Sequence, residues 1–241
     1  MIVLGPSLGT STALWRTVEP LLADRYRILA WDLPGHGASP APTGSFSMAE
    51  LADAVATGVR RHTDARVHYA GVSLGGAVGL HLALRHPDLL DRLAVIASGA
   101  TLSTPEAWVE RARLVRAQST SALIAASAKR WFADDTPARE PEMTGALLHA
   151  LQDADDDGYA WCCEALAGHD VRAHLGRIPS PTLILWGAED LVAPESKAAE
   201  IARGIPGARI ARVDGAAHLP PAEQPAAVAG LLADFFGTDR S

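Results

Sequence analysis

Short apolar runs recur along the chain, and most are followed by a stretch whose apolar residues fall three and four apart. Ile2–Leu4, Tyr26–Trp31, Val67–Ala70, Leu93–Ala97, Thr182–Trp186 and Arg209–Val213 read as strands. Several are too uniformly apolar for a half-solvated strand and suit one buried on both faces of a parallel sheet. Helical spacing marks Trp15–Leu22, Ala77–Leu84, Pro194–Arg203 and Ala222–Phe236. A further helix starts at Ser47-Met48-Ala49-Glu50, which has capping-box spacing, and runs to about Arg61. The helix after Val67–Ala70 stops at His86-Pro87, because the residue before a proline is biased out of the helical region. Strands alternating with helices predict an α/β fold with a mostly parallel sheet and helices on both faces.

The alternation lapses between residues 101 and 176. That stretch shows no strand pattern and reads as several amphipathic helices broken at Pro105, Pro137, Pro141 and Gly158. Trp108, Ala112 and Val115 share one helical face, and Ala146, Leu147, Ala150 and Leu151 share another. It is too long for a plain loop. Residues 101–176 are therefore expected to form a helical cap inserted into a core of residues 1–100 and 177–241. No internal repeat or low-complexity tract interrupts this plan.

Composition narrows the function classes. At 241 residues and 48% hydrophobic content the chain can bury a sizeable core. A formal net charge of −7 argues against nucleic acid or an anionic membrane surface as a partner. No apolar run reaches membrane-spanning length, and the first residues are too short for a signal peptide. The two cysteines, Cys162 and Cys163, are adjacent, which suits neither an unstrained disulfide nor a zinc site. A reducing cytoplasmic setting, with no metal and no organic cofactor, is the expectation.

Chemistry enters at Gly71-Val72-Ser73-Leu74-Gly75. A G-x-S-x-G match gains force from its context, here a strand before and a helix after, which makes a nucleophile elbow. A phosphate-binding loop would want a lysine or G-x-G-x-x-G spacing, and neither is present. The turn aims the Leu74 N–H, at the positive end of a helix, toward an oxyanion beside Ser73. A serine needs a base, and the base an acid to hold its tautomer. Asp190 follows the strand Thr182–Trp186 and His218 follows Arg209–Val213, giving the order Ser, acid, His. Asp190 also reads as a turn residue capping the helix near Pro194, and Glu189 is the rival acid. His36, in the Gly-rich turn Pro34–Ser39, is expected to hydrogen-bond neighbouring loops.

These features resemble the α/β-hydrolase family and, within it, the bacterial 3-oxoadipate enol-lactonases of aromatic-ring catabolism. The likeness rests on Ser7-Leu8-Gly9-Thr10 with Trp15, Asp32–Ser39, the elbow, Arg130-Trp131-Phe132, Gly158–Cys163, Ala217-His218-Leu219 and Glu223-Gln224-Pro225. The resemblance implies an α/β-hydrolase fold, Ser73 as nucleophile, His218 as base and Asp190 as its partner. It also implies an oxyanion hole from the N–H groups of Leu8 and Leu74, and hydrolysis of a small enol-lactone bearing a carboxylate. Val72 and Leu74 depart from the residues common in the family but are apolar and leave the backbone donor intact, whereas Pro220-Pro221 departs in a way that bears on substrate preference. A different ester or lactone hydrolase on the same triad, or a slow-turnover ligand sensor, remains open.

Two further expectations concern the edges of the fold. Relatives carry an antiparallel hairpin before the strand equivalent to Ile2–Leu4; this sequence begins at that strand, so Arg27–Trp31 should lie at an exposed sheet edge. A net acidic protein also needs a local cation to receive an anionic substrate. Arg130, next to Trp131, is the leading candidate for the substrate carboxylate, with Arg113 and Arg116 behind it.

Overall fold

Val3 pairs with Leu29 on one side and Tyr69 on the other, and Ile184 pairs with Val95 and Ile210. Runs of this kind leave no polar side chain to solvate a face, so strands stack side by side under helices. The computed structural model describes residues 1–237. Its strands are β1 (Ile2–Gly5), β2 (Ile28–Ala30), β3 (Val67–Val72), β4 (Leu90–Ile96), β5 (Thr182–Gly187) and β6 (Arg209–Val213). They form one six-stranded sheet in the order β2-β1-β3-β4-β5-β6, and every pairing is parallel. The C-terminal ends of all six therefore share one edge of the sheet, where open parallel sheets place their ligands.

The helices follow in chain order: α1 (Glu19–Ala23), α2 (Met48–Arg60) and α3 (Leu74–Arg85), with α2 carrying the capping box of Ser47 and Glu50 in full. Between β4 and β5 come α4 (Pro105–Gln118), α5 (Ile124–Trp131), α6 (Thr136–Arg139), α7 (Pro141–Asp153) and α8 (Asp156–Ala167). The chain closes with α9 (Glu195–Gly204), α10 (Pro220–Glu223) and α11 (Pro225–Gly237). Among the described residues, no helix is long and apolar enough to cross a membrane.

Among the described residues β2 pairs only with β1 and lies at the sheet edge, as expected. Its ladder is shorter than the apolar run suggests, covering Ile28–Ala30. Trp15–Leu22 is not one helix. A 3-10 turn spans Thr12–Trp15, and α1 starts afresh at Glu19 with Pro20 in its first turn. A proline there lacks the N–H that a continuous helix from Trp15 would require. Ala222–Phe236 is likewise divided by Pro225 into α10 and α11. β4 begins three residues before Leu93, because Arg92 is buried with its guanidinium 5.5 Å from the Phe235 ring centre.

Gly158 is not a break. It sits in the first turn of α8, where the Asp155 carboxylate accepts its N–H at 2.7 Å. The apolar faces read in this region hold: Trp108, Ala112 and Val115 of α4 are buried, as are Leu147 and Leu151 of α7, while Ala146 and Ala150 are half-buried.

Candidate active site

The β3–α3 turn places Ser73 at φ 54° and ψ −113°, a conformation L residues rarely adopt. Such a residue costs on the order of 1–3 kcal/mol and persists only where its surroundings fix it. Here the Ser73 N–H donates to the Ile96 carbonyl at 2.8 Å, and the Ser98 hydroxyl donates to the Ser73 carbonyl at 2.7 Å. Ser73 forms no side-chain cap to α3, so the turn does not use its hydroxyl. Leu74 opens α3, where backbone N–H groups have no partner within the helix and the dipole is positive.

Asp190 and His218 meet at the same edge. The His218 Nδ1 lies 3.0 Å from Asp190 Oδ2 and 3.2 Å from Oδ1, and both side chains are almost fully buried. Asp190 Oδ1 also accepts from the N–H groups of Val192 (2.7 Å) and Ala193 (3.0 Å). Asp190 thus holds the turn before α9 and faces His218, but it does not cap that helix, whose N-terminus at Pro194 has no side-chain cap. Burial alone would raise its pKa. The His218 charge and hydrogen bond, with the two backbone donors, outweigh burial and hold the carboxyl below its ordinary range. Glu189, the rival acid, is exposed.

The loop after β1 carries Leu8, which is 6% exposed. Two contacts fix this loop. The Gly75 N–H of α3 donates to Pro6 O at 3.0 Å, and the Gly9 N–H donates to His36 Nε2 at 3.2 Å. Because His36 Nε2 accepts, the ring proton sits on Nδ1, which lies 3.0 Å from Pro34 O. His36 is therefore a neutral strut between loops, and burial lowers its pKa. From the other side, a Cβ at Gly9 (φ +79°) would fall 3.2 Å from the Tyr159 ring and 3.3 Å from that of Trp131. Leu151 of α7 would be closer still, at 2.7 Å, so the positive φ and the crowding by α5, α7 and α8 together favour glycine here.

Trp131 and Arg130 point to different places. Trp131 is buried near Gly9, and its carbonyl accepts from the N–H groups of His218 (3.1 Å) and Leu219 (3.2 Å). Arg130 is half-buried in a cleft of about 560 Å³ that also borders Trp108, Arg111, Leu191, Val192 and Lys197. The other two candidate arginines are committed elsewhere. Arg116 pairs with Asp157 at 3.1 Å and with Glu164, and the exposed Arg113 lies 3.5 Å from Glu110.

The sequence reading overlooked two residues. Glu223 is 4% exposed, and its carboxylate accepts from Ala133 N (2.7 Å), the Thr136 hydroxyl (2.9 Å) and Ala217 N (2.8 Å). It ties the segment after α5 to the His218 loop. Its segment Glu223-Gln224-Pro225 carries part of the family resemblance, but nothing local in the sequence states this bracing role. Arg111 of α4 was passed over because its meeting with Arg130 of α5 is tertiary. Among the described residues no three His, Cys, Asp or Glu side chains gather as a metal site.

Residues 1–225 match the family model described as the alpha/beta hydrolase fold. The chain belongs to the α/β-hydrolase family. Among its relatives, the 3-oxoadipate enol-lactonase 2 of Acinetobacter baylyi is 32% identical over 226 residues, covering 94% of this chain and 84% of the relative. The crystal structure of the enol-lactonase from Burkholderia xenovorans LB400 superposes with a TM-score of 0.95 at 34% identity, covering 98% of this chain and 91% of that one. A thermophilic esterase from Thermogutta terrifontis, solved with malate bound, gives 0.92 at 26%, covering 98% and 89%. This α/β-hydrolase thus keeps its likeness to the enol-lactonases across nearly its whole length.

Proposed function

We propose that the chain is a serine hydrolase that opens a small enol-lactone carrying a free carboxylate, of the 3-oxoadipate enol-lactone type. The observation that carries this reading is the buried Asp190–His218 pair at the same sheet edge as the strained Ser73. The full-length likeness to two enol-lactonases supports the substrate class. Residues 101–176 are the cap over this edge.

Asp190 holds the His218 proton on Nδ1, leaving Nε2 to take the Ser73 proton. Ser73 Oγ adds to the ring carbonyl, and the new oxyanion accepts from the N–H groups of Leu8 and Leu74. Collapse breaks the ring C–O bond. The enol oxygen leaves with the proton carried by His218, and the acyl chain stays on Ser73. Water, deprotonated by His218, then releases the carboxylate, and the enol tautomerises to the ketone. No metal or organic cofactor enters these steps. Trp131 covers the reacting face beside Gly9, and Arg130 receives the substrate carboxylate. The structure of the thermophilic esterase, a relative of this fold, has malate, a small dicarboxylate, bound. The buried free thiols of Cys162 and Cys163 suit a reducing cytoplasm.

The direct test is kcat/KM for 3-oxoadipate enol-lactone measured beside neutral esters of similar size. A clear preference for the lactone is expected. Equal or better turnover of neutral esters would move the chain to a different ester hydrolase, and a stoichiometric burst without turnover would make it a ligand sensor.

A further inference from the structure

Most cap arginines have an acid. Arg113 sits against Glu110, Arg116 against Asp157 and Glu164, Arg139 against Asp135 and Arg172 against Asp170. Arg111 and Arg130 are the exception: among the described residues neither makes an ion pair. They line one cleft instead, with Lys197 on its other side and no aspartate or glutamate in its wall. Burial lowers the pKa of the Arg130 guanidinium, and the charge on Arg111 lowers it further. Two like charges held together and partly out of water are unfavourable unless an anion joins them.

Their positions are also fixed. Arg111 lies 5.0 Å from the Trp108 ring centre and within electrostatic reach of the buried Tyr159 hydroxyl, whose ring packs beside Gly9. Arg130 Nε donates to Ala126 O at 3.2 Å, one turn back in α5. The opposite wall, Leu191 and Val192, directly follows Asp190. The cleft thus reaches from solvent toward the edge that holds the acid–base pair.

We propose that Arg111 and Arg130 form a two-arginine clamp for the distal carboxylate of a small acid substrate. Arg111 is the inner member, and Lys197 draws the anion to the mouth. This rests on the hydrolase reading above for the location of the reacting carbonyl. Each guanidinium donates a charge-assisted hydrogen bond, and the shared anion removes the repulsion between them. Hydrolysis leaves the clamped carboxylate untouched and generates a second one at Ser73. The opened diacid therefore keeps its hold on the clamp and competes with fresh substrate.

Calorimetric titration of adipate tests this, with uncharged adipamide as control and no turnover required. Native protein should bind adipate and bind adipamide far more weakly. Arg111→Gln and Arg130→Gln should each weaken adipate by about tenfold or more, as expected for a lost charged hydrogen bond. Arg111→Lys should recover part of the affinity, which guards against misfolding of the glutamine variant. Failure of native protein to bind adipate, unchanged affinity in both glutamine variants, or equal loss for adipate and adipamide would overturn the clamp. Adipate held through both arginines in a protein that hydrolyses no ester would leave the clamp standing and remove the hydrolase reading. Lactone turnover with adipate affinity indifferent to both arginines would do the reverse.

Discussion

The carbonyl of Trp131 accepts the N–H of His218, so the end of α5 is bonded to the loop that carries the candidate base. Glu223 braces the same junction with a bond to Ala133 on one side and Ala217 on the other. Burial raises the Glu223 pKa while the donors around it pull it down. The imidazole is therefore placed from two directions: Asp190 orients the ring and the α5 end fixes its backbone.

Glu223→Gln should disturb this placement. Glutamine keeps the shape but turns one acceptor into a donor, aimed at Ala217 N–H or Ala133 N–H. A buried unsatisfied donor costs about 1–3 kcal/mol, which urea unfolding would register. Activity should fall mainly in kcat, because the base is misplaced while the arginine cleft is not. A loss confined to KM would show that the junction shapes the substrate pocket instead.

His36→Ala removes the strut under Gly9. The Gly9 N–H is then left without its acceptor, and the stacking partner of Tyr159 disappears, its ring centre now 5.9 Å away. Leu8, the neighbour of Gly9, should lose its fixed position. Steady-state kinetics are expected to show kcat reduced by about tenfold or more, as for a weakened oxyanion donor. Unchanged kcat in a stably folded variant would mean that the loop holds itself.

Stability should depend on pH through buried neutral histidines. Burial lowers the pKa of His36 and His169, and takes His68 and His81 down to about 4. Histidines in the unfolded chain titrate near pH 6.5. Below that pH the unfolded state binds protons that the folded state refuses, so stability falls as pH drops from about 6.5 toward 4. Glu223 and Glu19, raised by burial, act in the opposite sense at the acid end. Unfolding near pH 5 should therefore take up protons on balance. Urea titrations between pH 5 and 8 measure this slope, and a flat profile from pH 7 to 5 would contradict it.

The sheet was legible because buried parallel strands leave a plain mark, an apolar run ending at a turn. The positions of Ser73, Asp190 and His218 were legible for a related reason: each lies within about five residues after such a run, and parallel strands bring those ends to one edge. Local chemistry misled where a residue serves a distant partner. Gly158 read as a helix breaker, but it is a packing glycine, since a Cβ there would lie 2.9 Å from both Gly35 Cα and Pro34 O. Arg92, polar in sequence, is buried over Phe235 and hid the start of β4. The Arg111–Arg130 pairing could not be read from spacing, because it joins two helices whose packing no local pattern states.

The acid–base pair bears on a substitution with no steric effect. Asp190→Asn keeps the volume but removes the charge that holds the His218 proton on Nδ1, and should lower kcat by roughly a thousandfold or more. Glu189→Gln, at an exposed side chain, should leave kcat within about twofold. The reverse ranking would hand the role to Glu189.

Whether Ser73 is the nucleophile is settled by covalent labelling. A fluorophosphonate ester should add one equivalent to the native protein, as read by intact mass. Peptide mapping should place it on Ser73, and ester hydrolysis should be lost in step with labelling. Ser73→Ala should take up none. Label on another residue, or ester hydrolysis surviving full modification of Ser73, would contradict the serine mechanism.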